Sequence, residues 1–198
     1  MAKALIVIDM QLDFCPGGRL AVAGGDEIVA GVNDLMADFD AVVLTQDWHP
    51  HDHASFADNH PGAAAFSVVD MAYGPQVLWP AHCVIGTEGA GFHPALAADC
   101  ADLVIRKGFR PQIDSYSAFY ENDHRTPTGL AGYLRDRGME DLAFVGLAHD
   151  FCVAWSAIDA AKLGFRATVI EDATRAIDLN GSREAAREDM RKAGVVLA

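Results

Sequence analysis

The sequence predicts a three-layer α/β/α fold built on a mostly parallel sheet of about six strands. Three observations carry this expectation. Five or six short apolar runs are continuous rather than alternating, the pattern of strands buried on both faces. Amphipathic helical periods separate the later runs, as parallel strands require. The 198 residues are 51% hydrophobic, enough for one domain spanning 1–198 with a substantial core.

The elements follow in order. "KALIVID" (3–9) is the first strand, and Ile28, Val29, Val32, Leu35, Met36 and Phe39 give a helix over 26–39. "DAVVLTQD" (40–47), "DLVIRKG" (102–108), "DLAFVGLA" (141–148) and "RATVIED" (166–172) are further strands, and "GVVLA" (194–198) is a sixth. A helix over about 127–137 is opened by Thr126-Pro127 and closed by Gly138. Another over 150–163 carries Val153, Ala154, Ala157, Ile158 and Ala161 on one face, with Gly164 as its stop, and a third runs over 181–193. There is no internal repeat, low-complexity tract or linker. Residues 48–101 have no sustained period, and so long a loop inside a compact domain is uncommon unless it is functional.

Composition excludes some functions. A net charge of −13 argues against a nucleic-acid or anionic-membrane partner. No apolar run approaches the ~20 residues of a membrane span. The opening "MAKALIVIDM" enters a strand-like run after one basic residue, without the plan of a signal peptide. The expectation is a cytoplasmic protein in which Cys15, Cys83, Cys100 and Cys152 are reduced thiols. Oligomeric state is left open, a homo-oligomer included.

"TQDWHPHDHASFADNHPG" (45–62) holds four of the eight histidines, with Asp47, Asp52 and Asp58 among them. Alone it reads as a metal site, an acid–base site or a polar loop. In open parallel sheets ligands bind beyond the carboxyl ends of the strands, and what lies there is informative. Strand one ends in Asp9, strand two in Asp47 followed by His49, and strand three in Arg106-Lys107-Gly108. Strand four leads into "LAHDFCV", placing Cys152 in the first turn of the next helix. Singly, Asp9 reads as a turn residue, Lys107 as a solvent-facing cation and Cys152 as a small core residue. Together they make a nucleophilic triad. The helix dipole and the lysine would favour thiolate, and Asp9 would take the thiol proton. Asp-x-His at a strand end turns both side chains to one face.

"VIDMQLDFCPGGRLAV" (7–22), "TQDWHPHDHASFA" (45–57), "WPAHCVIGTEGAGFHP" (79–94), "RKG" (106–108), "DSYSAFYEN" (114–122) and "GLAHDFCV" (146–153) occur in an order spanning nearly the whole chain. In these stretches the sequence resembles the nicotinamidases (pyrazinamidases) of the isochorismatase-like hydrolase superfamily. The resemblance implies hydrolysis of the carboxamide of nicotinamide, and of pyrazinamide, through a thioester on cysteine. It implies Asp9, Lys107 and Cys152 as the catalytic set, and Asp47, His49 and His82 as ligands of one divalent metal ion. One carboxylate and two imidazoles suit Zn, Fe or Mn. His53 matches a position that binds metal directly in some relatives and stands behind the ligands in others. His51, His60, His93, His124 and His149 receive no role.

The resemblance further implies ring contacts from Phe14, Trp79 and Tyr116, each of which would otherwise be read as core. It implies a non-proline cis peptide at Leu147–Ala148, turning the Ala148 N–H toward that of Cys152 as an oxyanion hole. Phe151 would help shape the pocket. Two other readings stand beside the first: another cysteine amidohydrolase, acting on a carbamoyl or ureido substrate, and a non-catalytic metal- or pyridine-binding module. An isochorismatase fits less well, since vinyl-ether hydrolysis leaves the cysteine without a task.

Overall fold

The structure is a computed structural model describing residues 2–198. Its strands are β1 (Ala2–Ile8), β2 (Ala41–Asp47), β3 (Val68–Met71), β4 (Gly74–Val77), β5 (Leu103–Lys107), β6 (Met139–Leu147), β7 (Arg166–Arg175) and β8 (Val196–Leu197). Its α-helices are α1 (Val29–Met36), α2 (Leu130–Asp136), α3 (Ala154–Lys162) and α4 (Ser182–Lys192). Six strands form one sheet in the order β5-β2-β1-β6-β7-β8, and every pairing in it is parallel. All six predicted strands are present.

The continuous apolar runs mean what they predict. Residues 4–8 of β1 and all of β2 are buried, so both faces of the sheet centre are covered. The edge strand β5 alternates between half-buried and exposed until Lys107, which is buried. Close packing also fixes a glycine. A Cβ on Gly146 of β6 would lie 2.1 Å from the Ile8 carbonyl oxygen, and its φ of +106° is open only to glycine.

Strand order reverses at β1. From β1 the chain adds β2 and β5 on one side, then crosses to place β6 on the other. The crevice beyond the carboxyl ends of β1 and β6 is therefore the topological switch point, where such sheets bind ligands.

The structure corrects several boundaries. Helix α1 is confined to Val29–Met36 within the predicted 26–39. Helix α2 starts at Leu130, not at Pro127, because Thr126 and Pro127 are committed elsewhere. The Thr126 hydroxyl donates to Asp123 at 2.7 Å, and Pro127 pairs with Tyr120 in an isolated bridge. The helix predicted over 150–163 opens as a wide turn, His149–Val153, before α3 begins. In that turn the Val153 N–H reaches back five residues to the Ala148 oxygen at 3.1 Å.

The region 48–101 is not structureless. It contains the β3–β4 hairpin, is folded on itself by single bridges, His49 with Val84 and Phe56 with Trp79, and is tied to the body by a third, Gln11 with Phe92. Single bridges leave no periodicity to read. All four cysteines are free, with Cys100 exposed and the other three buried. Among the described residues no helix is long and apolar enough to cross a membrane.

Candidate active site

Strand register assembles the site. Asp47 and Lys107, the last residues of β2 and β5, are direct ladder partners. Asp9 follows β1 with a left-handed φ of 45°, its amide donating to the Thr45 hydroxyl at 3.1 Å. That hydroxyl donates in turn to the Asp9 carboxylate at 2.6 Å. Cys152 arrives from the wide turn after β6, and the Leu147–Ala148 peptide that leads into the turn is cis.

The Lys107 ammonium joins these groups. It lies 2.8 Å from Asp9 Oδ2, hydrogen-bonds Asp47 Oδ1, and is 3.0 Å from the Ser115 carbonyl and 3.5 Å from Cys152 Sγ. An ammonium has three N–H donors for these four neighbours, so the thiol competes with two carboxylates for one charge. Asp47 and Asp9 accordingly hold Lys107 in its charged form, raised well above the ordinary lysine range against the opposing effect of burial.

Electrostatics reverses one expectation. Burial pushes the Cys152 thiol well above its ordinary value; Lys107 opposes that rise, and Asp9 and Asp47 add to it. The resting nucleophile is a thiol, not the thiolate that a helix start and a lysine would favour. Burial also raises Asp9, against the pull of Lys107. Asp47 is depressed, because Lys107 and His49 outweigh its burial. One carboxylate is suited to taking a proton and the other to staying ionised.

The predicted metal ligands also converge. Asp47 Oδ2 lies 3.4 Å from His49 Nε2 and 3.7 Å from His82 Nε2. Bonds of about 2.0–2.2 Å at tetrahedral angles put ligand atoms about 3.4 Å apart, so these three donors fit one ion. Each imidazole is oriented by its other nitrogen. His49 Nδ1 donates to the Gly108 carbonyl and His82 Nδ1 to that of Pro80, both at 2.8 Å. With Nδ1 carrying the proton, both Nε2 lone pairs are free for a cation. His53 is differently committed: Nδ1 meets the Ser55 hydroxyl at 2.7 Å, and Nε2 the Ile113 carbonyl at 3.2 Å. Burial and the neighbouring His49 lower its pKa to about 4, so it packs beside His49 as a neutral ring. His51 is exposed, and His60 bonds the Ala54 carbonyl at 2.7 Å.

Phe14, Trp79 and Tyr116 line one cavity with Asp47, His82, Ala148 and Cys152. Its volume is about 20 Å³, so a six-membered ring enters only as the aromatic side chains around it move apart. The walls are edge-on aromatics, Phe151 standing 4.9 Å from Trp79 and 5.7 Å from Tyr116. Leu20, Asp114 and Ile177 complete the lining, and the sequence reading gave none of them a role.

Supporting residues were missed as well. Gln11 clamps the Asp47 backbone, accepting from its N–H at 2.7 Å and donating to its oxygen at 2.8 Å. Asp13 accepts the Cys83 amide at 2.7 Å and so fixes the loop behind His82. Gln76 of the hairpin donates to the Tyr116 hydroxyl at 2.9 Å, as does Trp79 at 3.0 Å. Gln11 and Asp13 lie in "MQLDF" directly after Asp9, and that adjacency was the available signal. Gln76 has none, because only the hairpin brings it to Tyr116.

The chain is similar in sequence and fold to known proteins. A nicotinamidase of Acinetobacter baylyi is 57% identical over 97% of this chain and 90% of its own. The solved structure of an Acinetobacter baumanii nicotinamidase/pyrazinamidase superposes with a TM-score of 0.97 at 56% identity, covering 98% of this chain and 94% of that one. A pyrazinamidase of Pyrococcus horikoshii in complex with zinc gives 0.80 at 35% identity, covering 100% and 99%. The isochorismatase domain model matches residues 3–198, and the chain belongs to that family.

Proposed function

We propose that the protein is a nicotinamidase: it hydrolyses nicotinamide to nicotinate and ammonia, and accepts pyrazinamide. The observation that carries this reading is the convergence of two sets on one cavity. Lys107 bridges Asp9 and Cys152, and its other carboxylate partner, Asp47, belongs to the Asp47/His49/His82 cluster. A non-catalytic binding module would have no use for the thiol and its acid. A carbamoyl or ureido amidase would have no use for a cation cluster facing the ring pocket. The named relatives support the same substrate. The whole chain acts as one catalytic domain, working in the cytoplasm.

Each residue then has a task. Asp47, His49 and His82 hold one divalent ion; zinc comes first among zinc, iron and manganese, given the N/O donors and the zinc complex of the Pyrococcus protein. When bound, that ion supplies an electrophilic anchor for the ring nitrogen. Phe14, Trp79 and Tyr116 flank the ring and hold the carboxamide beside Cys152. Asp9 takes the thiol proton as sulfur attacks the carboxamide carbon. The backbone N–H groups of Ala148 and Cys152 receive the developing oxyanion. Asp9 returns its proton to the departing nitrogen, releasing ammonia and leaving a thioester. Water, deprotonated by Asp9, attacks the thioester to give nicotinate and the free thiol. Lys107 stays charged throughout, steadying Asp9 and the sulfur.

The decisive experiment measures ammonia released from nicotinamide by the zinc-loaded protein, with mass spectrometry of the acid-quenched reaction. The expected result is catalytic release and an acyl adduct on Cys152, with none on Cys15, Cys83 or Cys100. Absence of ammonia release from a folded, metal-replete protein would refute the assignment.

A further inference from the structure

The cavity beside Cys152 meets solvent along a narrow part of its wall. Of the described residues that line it, all are buried except Phe151 and Ile177, which are half-buried. Cys152 itself is 7% exposed. A ring that reaches the thiol from solvent therefore has its opening at these two side chains.

One residue ties the two sides of that opening together. Phe151 belongs to the turn that carries Cys152, and its N–H donates to the Ala148 carbonyl at 3.1 Å. Ile177 belongs to the segment between β7 and α4. Asp150, buried and directly before Phe151, spans the gap. Its Oδ1 accepts the Ile177 N–H at 3.0 Å, and its Oδ2 accepts the Asp178 N–H at 2.8 Å. The Ser182 hydroxyl, at the start of α4, also donates to Oδ2. Among the described residues, neither amide has a backbone acceptor.

The segment depends on such a tie. Asp178, Asn180 and Gly181 have φ of 55°, 53° and 83°, a left-handed region sparsely populated even by aspartate and asparagine. Conformations of this kind persist where the surroundings hold them. Hydrogen bonds to an ionised carboxylate are about twice as strong as neutral ones, and Asp150 receives three.

We propose that Asp150 is a positioning residue that fixes Ile177 against Phe151, and so sets the size of ring that reaches Cys152. This rests on the assignment of the cavity to the substrate ring, but its test needs no turnover. Nicotinamide hydrolysis by the parent tests the assignment, so the two can fail separately.

The test is alkylation of the zinc-loaded protein at alkaline pH by iodoacetamide and by the ring-bearing N-phenylmaleimide, read at each cysteine by peptide mass spectrometry. Exposed Cys100 is the internal reference for each reagent's own reactivity. In the parent, the larger reagent should be disfavoured at Cys152 over Cys100 by at least about tenfold more than the smaller one. Asp150→Asn keeps the side chain's size and removes its charge and one acceptor. It should cut that discrimination about fivefold or more, within the scale of one hydrogen bond to a charged group. Ile177→Ala widens the opening with the backbone bonds in place and should act likewise. Ser182→Ala removes one donor outside the cavity and should cut the discrimination about twofold. A shift in thiol ionisation moves both reagents together and cancels in the ratio. Buried Cys15 and Cys83 should stay unmodified, as global loosening would expose them too. Where Asp150→Asn fails to fold, Ser182→Ala decides. Unchanged discrimination in folded Asp150→Asn or in Ile177→Ala, or modification of Cys15 and Cys83 alongside Cys152 in Ser182→Ala, would overturn the proposal.

Discussion

Gly108 allows a metal ligand to be displaced without touching any ligand. It follows Lys107, and its carbonyl receives His49 Nδ1–H at 2.8 Å. A Cβ at this position would stand 2.3 Å from His49 Cε1 and 2.6 Å from Nδ1, at a backbone φ of +67°. Carbon contacts are comfortable at about 3.5 Å, so the imidazole must retreat by about 1 Å. Metal–ligand bonds tolerate about 0.2 Å, and the required shift exceeds that several-fold. Gly108→Ala should therefore lose zinc affinity by about 10–100-fold, the range seen when a ligand's orienting partner is lost. The left-handed backbone adds about 1–2 kcal/mol of destabilisation, which is tolerable for a folded domain. The assay is zinc competition against a chromophoric chelator, with circular dichroism to verify the fold. A folded Gly108→Ala protein that binds zinc as the parent does would refute the placement of His49 at the ion.

Other outcomes follow from the same geometry. Cys152→Ala should abolish nicotinamide turnover with zinc content unchanged, and Asp9→Asn should slow acylation by about 10²–10⁴-fold, both read by rapid quench. Because burial holds the Cys152 thiol high, its alkylation should be slow at neutral pH and rise into the alkaline range. Lys107→Ala removes the one group opposing that rise, so it should move the profile to still higher pH; an unchanged profile would contradict the triad. Benzamide lacks the ring nitrogen and should be a much poorer substrate than nicotinamide, by more than the ~0.5–1.5 kcal/mol of one hydrogen bond. His49→Ala should erase most of that preference, whereas His51→Ala and His60→Ala should leave it intact. Comparable parent rates on the two amides would move the assignment toward carbamoyl or ureido substrates.

What the sequence made legible, and what it hid, has a physical pattern. The sheet could be read because β1 and β2 bury both faces, and the resulting apolar runs depend on nothing distant. Asp9, Asp47 and Lys107 could be placed together because the carboxyl ends of neighbouring parallel strands meet by construction. Asp47 and Lys107 are simply register partners. His82 required the resemblance, since no local period ties "WPAHC" to β2 and a single bridge, His49 with Val84, sets the approach. The hairpin and the Gln76–Tyr116 contact were illegible for the same reason. The start of α2 misled because Thr126-Pro127 has the form of a helix opening, while Asp123 holds the threonine in a turn.

The chemistry of the two aspartates lay beyond any reading of the chain, because both end parallel strands and both touch the same lysine. Their second partners separate them. Asp47 shares Lys107 with two imidazoles, whose positive or metal-bound forms favour its charge. Asp9 has the Thr45 hydroxyl and the Cys152 thiol besides the lysine, and burial raises it. Titratable pairs pushed in opposite directions mark the division between proton carrier and fixed charge. Exchanging the environments tests this division. Thr45→Val removes the hydroxyl that favours ionised Asp9, raising the Asp9 pKa further while leaving Asp47 and its histidines in place. Turnover should then fall on the acid side of the pH profile, where more Asp9 is already protonated and unable to accept the thiol proton. Zinc affinity should be unchanged. An acid limb that stays where it was, with turnover intact, would show that Asp9 is not the proton carrier.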